Sequence, residues 1–296
     1  MSIKTIQQVR KTFDSTIPNS SNSFFCGFLQ TFKRNIKIIW QYRFLLIKGF
    51  LSTLTVVSLY YFVSLLIESG IIENDGYRIS SVSFIFVGII IVEVTAKTIT
   101  STLGSFQSEM RQGTFEALIT TQFGLKKYVY AETFAEVVYT LILNIIYYIP
   151  VFFIFPLLRD VSVTLSSSFT ILLLLFFTFV FFTTLALVGA NFTVLIKRGR
   201  EISMVIIGTL LLLSGSLFPL SVFPNWLRTI AQISPLTQVV KAIRFCLFGQ
   251  GIVTDSIVWH ALLVLVAGSV ILFVVFQILF KSIYKRIQHK GTFHEY

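Results

Sequence analysis

What most constrains this chain is a set of six long apolar runs, at residues 44–67, 82–102, 128–155, 163–195, 202–220 and 257–280, each poor in charge. At about 1.5 Å of rise per residue, some twenty helical residues cross the ~30 Å hydrocarbon core of a bilayer. Hydrocarbon offers no partner to a free backbone N–H or C=O, so such runs are expected to cross as helices that bond their own backbone. The run at 163–195 exceeds one perpendicular crossing and must tilt or continue past the lipid. Composition agrees: 55% of residues are hydrophobic and 12% charged, with mean hydropathy +0.82, where a soluble domain carries about 25% charged residues. The expected fold class is an all-α membrane protein with six transmembrane helices.

The flanks of the runs divide by charge. With the amino terminus inside, the inner face collects Lys4, Arg10, Lys11, Lys33, Arg34, Lys37, Arg43, Arg111, Lys126, Lys127, Lys197, Arg198, Arg200, Lys281, Lys285, Arg286 and Lys290. The outer face receives Arg78, Arg159, Arg228, Lys241 and Arg244, and Lys48 and Lys97 fall within runs. This asymmetry sets both termini in the cytoplasm by the positive-inside rule. The first run begins only at Phe44, so a cleaved secretory signal is not expected. The net charge of +11 then belongs mostly to the cytoplasmic face, where it suits anionic headgroups, and no nucleic-acid partner is needed. Cys26 and Cys246 fall on opposite faces, so neither a disulfide nor a metal site is implied. The 32 phenylalanines fit an AT-rich coding genome, of a low-GC bacterium or an organelle.

Residues 1–23 read as a flexible cytoplasmic tail, ending in the Pro, Ser and Asn cluster "STIPNSSNS". In 24–43, Phe25, Phe28, Leu29, Phe32, Ile36, Ile39 and Trp40 recur at helical spacing, with Lys33, Arg34, Lys37 and Gln41 between them. This amphipathic helix either lies in the inner interface, with Trp40, Tyr42 and Arg43 at headgroup depth, or extends the first crossing into the cytoplasm. Residues 44–284 form the six-helix membrane domain, and 285–296 a cytoplasmic tail. The outer loops at 68–81 and around Arg159 and Asp160 are too short for a folded domain. Between spans five and six, Asn225 caps a helix "WLRTIAQIS" that Pro235 stops, and "LTQVVKAIRFCLFG" runs on with Val239, Val240, Ile243 and Leu247 on one side. That predicts an outer helical hairpin, re-entrant or surface-lying. No internal repeat of broken helices is visible, and six spans are few for an alternating-access path, so a dimer is the natural way to enclose one.

No phosphate loop, dinucleotide fingerprint, zinc-protease signature or nucleophile elbow occurs, and His260, His289 and His294 are scattered; no catalytic or metal-ligating residue is assigned. Glu93 and Lys97 sit four apart inside the second run, in the order that favours an intrahelical pair. Charges in a membrane helix are functional candidates by default, or they neutralise each other at a helix interface. Lys48 reads as a snorkelling lysine. Glu132 and Glu136 share a face at the inner start of the third run, where Lys126, Lys127 or Lys97 could meet them. Between runs two and three, Thr114 is a sound N-cap, Glu116 lies in the first turn, Gly124 suits the C′ position, and Lys126 and Lys127 follow. They specify a short helix over 114–123, with Phe115, Leu118, Ile119 and Gln122 on one face that could rest on lipid or enter a partner's groove.

Two stretches resemble the ABC-2 family of ABC-transporter permeases. The family's loop between spans two and three carries E-R-x-x-G-T-x-E-x-L; here Glu109, Met110, Arg111, Gln112, Gly113, Thr114, Phe115, Glu116, Ala117 and Leu118 stand there, Met110 intervening between Glu109 and Arg111. In "FPLSVFPNWLRTIAQISPLTQVVKAIR", Pro219, Pro224, Trp226, Leu227, Pro235, Leu236, Thr237 and Arg244 match the family's outer pattern. The resemblance implies the transmembrane subunit of an ABC exporter, not itself an enzyme, working as a dimer with a second permease copy and with separate ABC ATP-binding subunits that hold ATP-Mg. It makes Arg111, Gly113, Thr114, Phe115, Glu116, Leu118 and Ile119 the ATPase-coupling helix, and Pro219, Pro224, Trp226, Pro235 and Arg244 the outer gate hairpin. The membrane would be a prokaryotic plasma membrane or, for an organelle-encoded chain, a plastid membrane with stromal termini. The alternatives are a stand-alone channel or secondary carrier, dependent on Glu93 and Lys97, and a membrane-embedded enzyme, for which the sequence offers no cluster of side chains.

Overall fold

The computed structural model describes residues 24–66, 71–74, 77–112, 125–154, 164–196, 198–249 and 251–290. Helix α1 (Phe24–Gln41) is followed by α2 (Phe44–Leu65), then by two strands, β1 (Ile71–Asn74) and β2 (Tyr77–Ser80), and by α3 (Ser81–Arg111), α4 (Leu125–Ile154), α5 (Leu165–Ile196), α6 (Gly199–Leu213), α7 (Asn225–Ile233), α8 (Pro235–Phe248) and α9 (Ser256–Lys290). The strands pair antiparallel, Ile71 opposite Ser80 and Asn74 opposite Tyr77. This hairpin is an addition to the expected all-helical fold, and it delivers the chain straight into α3, where the Ser80 hydroxyl accepts the Ser83 N–H at 3.3 Å as an N-cap.

Five of these helices are long and apolar enough to cross a membrane: α2, α3, α4, α5 and α9. They fall on five of the six expected runs, with α3 continuing nine residues beyond the end predicted from hydropathy. The fifth expected run, 202–220, differs. Helix α6 has 15 residues, about 22 Å at the helical rise, and breaks at Ser214. There Gly215 adopts φ 60°, a left-handed backbone that glycine enters without steric cost, and Pro219 cannot continue a helix. A single 3-10 turn at Leu220–Val222 then leads into α7.

Helix α3 is the spine. It packs against α2, α4, α5, α6 and α8, and its buried side chains run from Phe84 at one end to Phe106 and Met110 at the other. Helix α5 lies along α9 as well as α3; a helix hydrophobic on every side is suited to burial among others or to lipid. A side-chain bond ties the pair, Asn191 Nδ2 donating to the Phe276 carbonyl at 3.2 Å. At the start of α6, the Arg200 N–H, one of the groups a helix leaves without an internal partner, donates to Gln107 Oε1 of α3 at 3.1 Å.

Helix α1 sits along α4 with its polarity turned inward. Thr31 and Asn35 are buried, while Phe25 and Trp40 are 63% and 70% exposed. Hydrophobic side chains of α2, α4, α5 and α9 are likewise exposed along their outer faces. An apolar surface of this extent would be a liability in water and is the surface that lipid solvates.

Candidate functional site

Two side-chain constellations stand out, one at each end of α3. The first joins α1, α3 and α4. Arg34 of α1 donates through Nη1 to Glu109 Oε1 of α3 at 2.6 Å and through Nη2 to Glu132 Oε1 of α4 at 2.7 Å. The Glu132 side chain is 0% exposed. Burial disfavours the charged form of Arg34, yet Glu132 and Glu109 outweigh it and raise its pKa above the ordinary arginine value. Next along α1, Asn35 Nδ2 donates to Glu136 Oε1 at 2.8 Å, and Ser101 of α3 donates to the other oxygen of the same carboxylate. Glu132 and Glu136 do share a face, as expected, but their partners are Arg34, Asn35 and Ser101. Lys126 and Lys127 are exposed, and Lys97 is engaged deeper in the bundle.

There the expected pair forms, Lys97 Nζ lying 3.1 Å from Glu93 Oε2. The Tyr148 hydroxyl of α4 donates to the same Glu93 oxygen at 2.7 Å, and Lys97 donates to Thr53 Oγ1 of α2 at 2.9 Å. The ammonium also lies 5.4 Å from the centre of the Tyr148 ring and 5.9 Å from that of Tyr147, within cation–π range. The close approach of α2 depends on Gly49, where a Cβ would collide with the Tyr147 phenol.

The two groups belong to one polar row. On α3, Glu93, Lys97, Ser101 and Glu109 recur in steps of four or eight; on α4, Glu132, Glu136, Asn144 and Tyr148 do the same. Rows of that spacing are the ridges along which helices interdigitate. The two helices run in opposite directions, so Glu93 meets Tyr148 and Ser101 meets Glu136. Asn144, buried on this row, has neither amide atom bonded among the described residues.

The second constellation is the hairpin of α7 and α8. Pro219 precedes the 3-10 turn, Pro224 precedes α7, and Pro235 opens α8 at its first position, where proline has no N–H to lose. Asn225 is the first helical residue of α7, with no side-chain capping bond. Trp226 is 67% exposed. Arg244, expected on the outer face, points inward and is 3% exposed. Its Nη1 donates to the Gly215 carbonyl at 2.9 Å, and its Nη2 to the Phe84 and Ser216 carbonyls at 2.8 Å each. The guanidinium lies 3.5 Å from the centre of the Phe84 ring. Thr237 completes the seat by donating to the Leu213 carbonyl at 2.6 Å.

Of the expected coupling residues, Arg111 is the last residue of α3, capped by Gln112. Gly113, Thr114, Phe115, Glu116, Leu118 and Ile119 lie outside the described residues. The segment that holds them leaves α3 two residues after Glu109 and enters α4 seven residues before Glu132. Arg34 thus bonds both helices that flank it.

A multi-pass helical membrane protein with a polar row inside its bundle and a helical hairpin pinned to one end is the class that fold and site define. The sequence matches the family of ABC-2 type transporters over residues 27–248, from α1 to the end of α8, and the chain belongs to that family. No curated protein matches it. As a member it is a membrane component of a transporter.

Proposed function

We propose that this chain is the permease subunit of an ABC-type exporter, forming the substrate path as a dimer of two copies and driven by separate ATP-binding subunits that hold ATP-Mg. In this reading both termini face the cytoplasm or stroma, α6 and the turn after it complete a sixth crossing, and the α7–α8 hairpin lies at the exit. The observation that carries it is the Arg34 bond to Glu109 and Glu132, which joins the two helices that flank residues 113–124 in the sequence. A push delivered there by closing ATPase subunits would reach α1, α3 and α4 together, because breaking the Arg34–Glu132 pair would strand a buried carboxylate. Helix α3 would carry the motion to the hairpin through Arg244.

The test is reconstitution with an ABC ATP-binding subunit that copurifies with the chain. Phe115→Asp and Glu116→Lys are expected to leave assembly in the membrane intact and to abolish stimulation of ATP hydrolysis by the permease. Undiminished stimulation in both variants would refute the coupling role. Ion-coupled flux from the chain alone in proteoliposomes, lost in Glu93→Gln and Lys97→Met, would instead establish a stand-alone carrier.

A further inference from the structure

Helix α1 is bonded to the bundle through its polar side, where Arg34 meets Glu109 and Glu132 and Asn35 meets Glu136. The opposite side is basic. Lys33, Lys37 and Trp40 follow one another at four and three residues, so they share one face of the helix. All three are exposed, Trp40 to 70%. Arg43, between α1 and α2, and Lys48, in the second turn of α2, are exposed as well. From Phe24 to Leu66 the chain holds these four cations and Arg34, and no carboxylate. Arg34 has its charge met by carboxylates of the neighbouring helices. Lys33, Lys37, Arg43 and Lys48 have no hydrogen bond or ion pair among the described residues. Ile36, Phe44 and Ile47 stand between these cations in the sequence and are exposed too.

We propose that this face of α1, with the start of α2, binds the headgroups of anionic phospholipids in the leaflet where α1 lies. The cations supply the selectivity, because an anionic leaflet strengthens the hold on each basic residue near its surface about fivefold. The apolar side chains decide the source of the phosphate. Lysine stems lie along hydrocarbon while their ammonium groups stay at the interface, and an exposed tryptophan settles at headgroup depth. Ile36, Phe44 and Ile47 then offer acyl chains a surface for which a soluble phosphate has no use. The cations of α1 are divided between two partners, Arg34 to the protein and the two lysines to the lipid.

The experiment uses the full chain reconstituted in phosphatidylcholine bilayers. Of the three tryptophans, Trp226→Phe and Trp259→Phe leave Trp40 as the reporter. Brominated acyl chains quench a tryptophan that they touch, so titrating brominated phosphatidylglycerol against brominated phosphatidylcholine gives the relative affinity of the two lipids beside Trp40. Phosphatidylglycerol is expected to be preferred about fivefold or more at low salt, and less at about 1 M salt. Lys33→Gln combined with Lys37→Gln changes two exposed positions to a good helix former and is expected to cut the preference about threefold or more. Lys33→Arg combined with Lys37→Arg should retain it. If the double tryptophan variant does not fold, the quenching lost between the parent and Trp40→Phe gives the same quantity. Equal affinity for the two lipids overturns the proposal, as does a preference unchanged by the glutamine variant. Failure of both lipids to quench Trp40 also overturns it, since protein would then cover the face.

Discussion

Replacing Arg244 with methionine keeps much of the side-chain volume and removes the donors that the Phe84, Gly215 and Ser216 carbonyls share. Each hydrogen bond to a charged donor is worth about 1.5–3 kcal/mol, and the guanidinium over the Phe84 ring roughly 2 kcal/mol when desolvated. These terms do not add, because the freed carbonyls regain water once the hairpin lifts. Breaking a buried charged contact typically costs about 3–5 kcal/mol, and we take about 3 kcal/mol as the loss in hairpin attachment. At 1.4 kcal/mol per factor of ten, that raises the open population about 100-fold. Cys246, two residues further along α8 and 0% exposed, reports on opening. With Cys26 replaced by serine, maleimide should label Cys246 about 100-fold faster in Arg244→Met than in the parent. Arg244→Lys should fall between, since one ammonium cannot reproduce a planar fork seated on an aromatic face. A labelling rate within about threefold of the parent, at an unchanged unfolding temperature, would refute this account of how the hairpin is held.

The same label tests the seat from the other side. A Cβ at Gly88 would stand 2.8 Å from the Cα and carbonyl oxygen of Ser216, so Gly88→Ala should cost about 1–3 kcal/mol and speed labelling, while Gly104→Ala, with nothing within 4 Å, should do neither. Arg34→Met strands Glu132 and should lower stability by about 3–5 kcal/mol, much of it regained on adding Glu132→Leu; equal unfolding temperatures for single and double variants would contradict the pairing. For Glu93 and Lys97, Glu93→Gln or Lys97→Met should each lower the unfolding temperature. Combining them should lower it by less than the sum, and strict additivity would show that the two charges do not interact.

Hydropathy located the crossing helices because lipid imposes the same demand on every segment: α2, α3, α4, α5 and α9 begin within three residues of the expected runs. Within 202–220 the helix stops at Leu213, short of the expected end, because Gly215 and Pro219 sit inside the apolar stretch and local backbone geometry there overrides hydrophobicity. The β hairpin carried a signal that hydropathy ignores, Asn-Asp-Gly between two short runs. The polar row was half legible. Glu93 and Lys97 are four apart and announce themselves, but Arg34 reaches Glu132 across 98 positions, a distance that no local pattern encodes. Charge counting assigns Arg244 to a side of the membrane and is blind to its turning back into the protein to satisfy carbonyls.

Helix α3 runs unbroken for 31 residues, about 46 Å at the helical rise. It is bonded to α1 near one end and to the hairpin near the other. As a stiff lever pivoting at its middle, a tilt of about 10° carries each end through about 4 Å, more than the full length of an N–H···O contact. The Arg244 bonds have no such slack. Any such tilt that begins at the Glu109 end must therefore either carry the hairpin with it or tear it off its seat, and the Phe84 carbonyl and ring under Arg244 decide which.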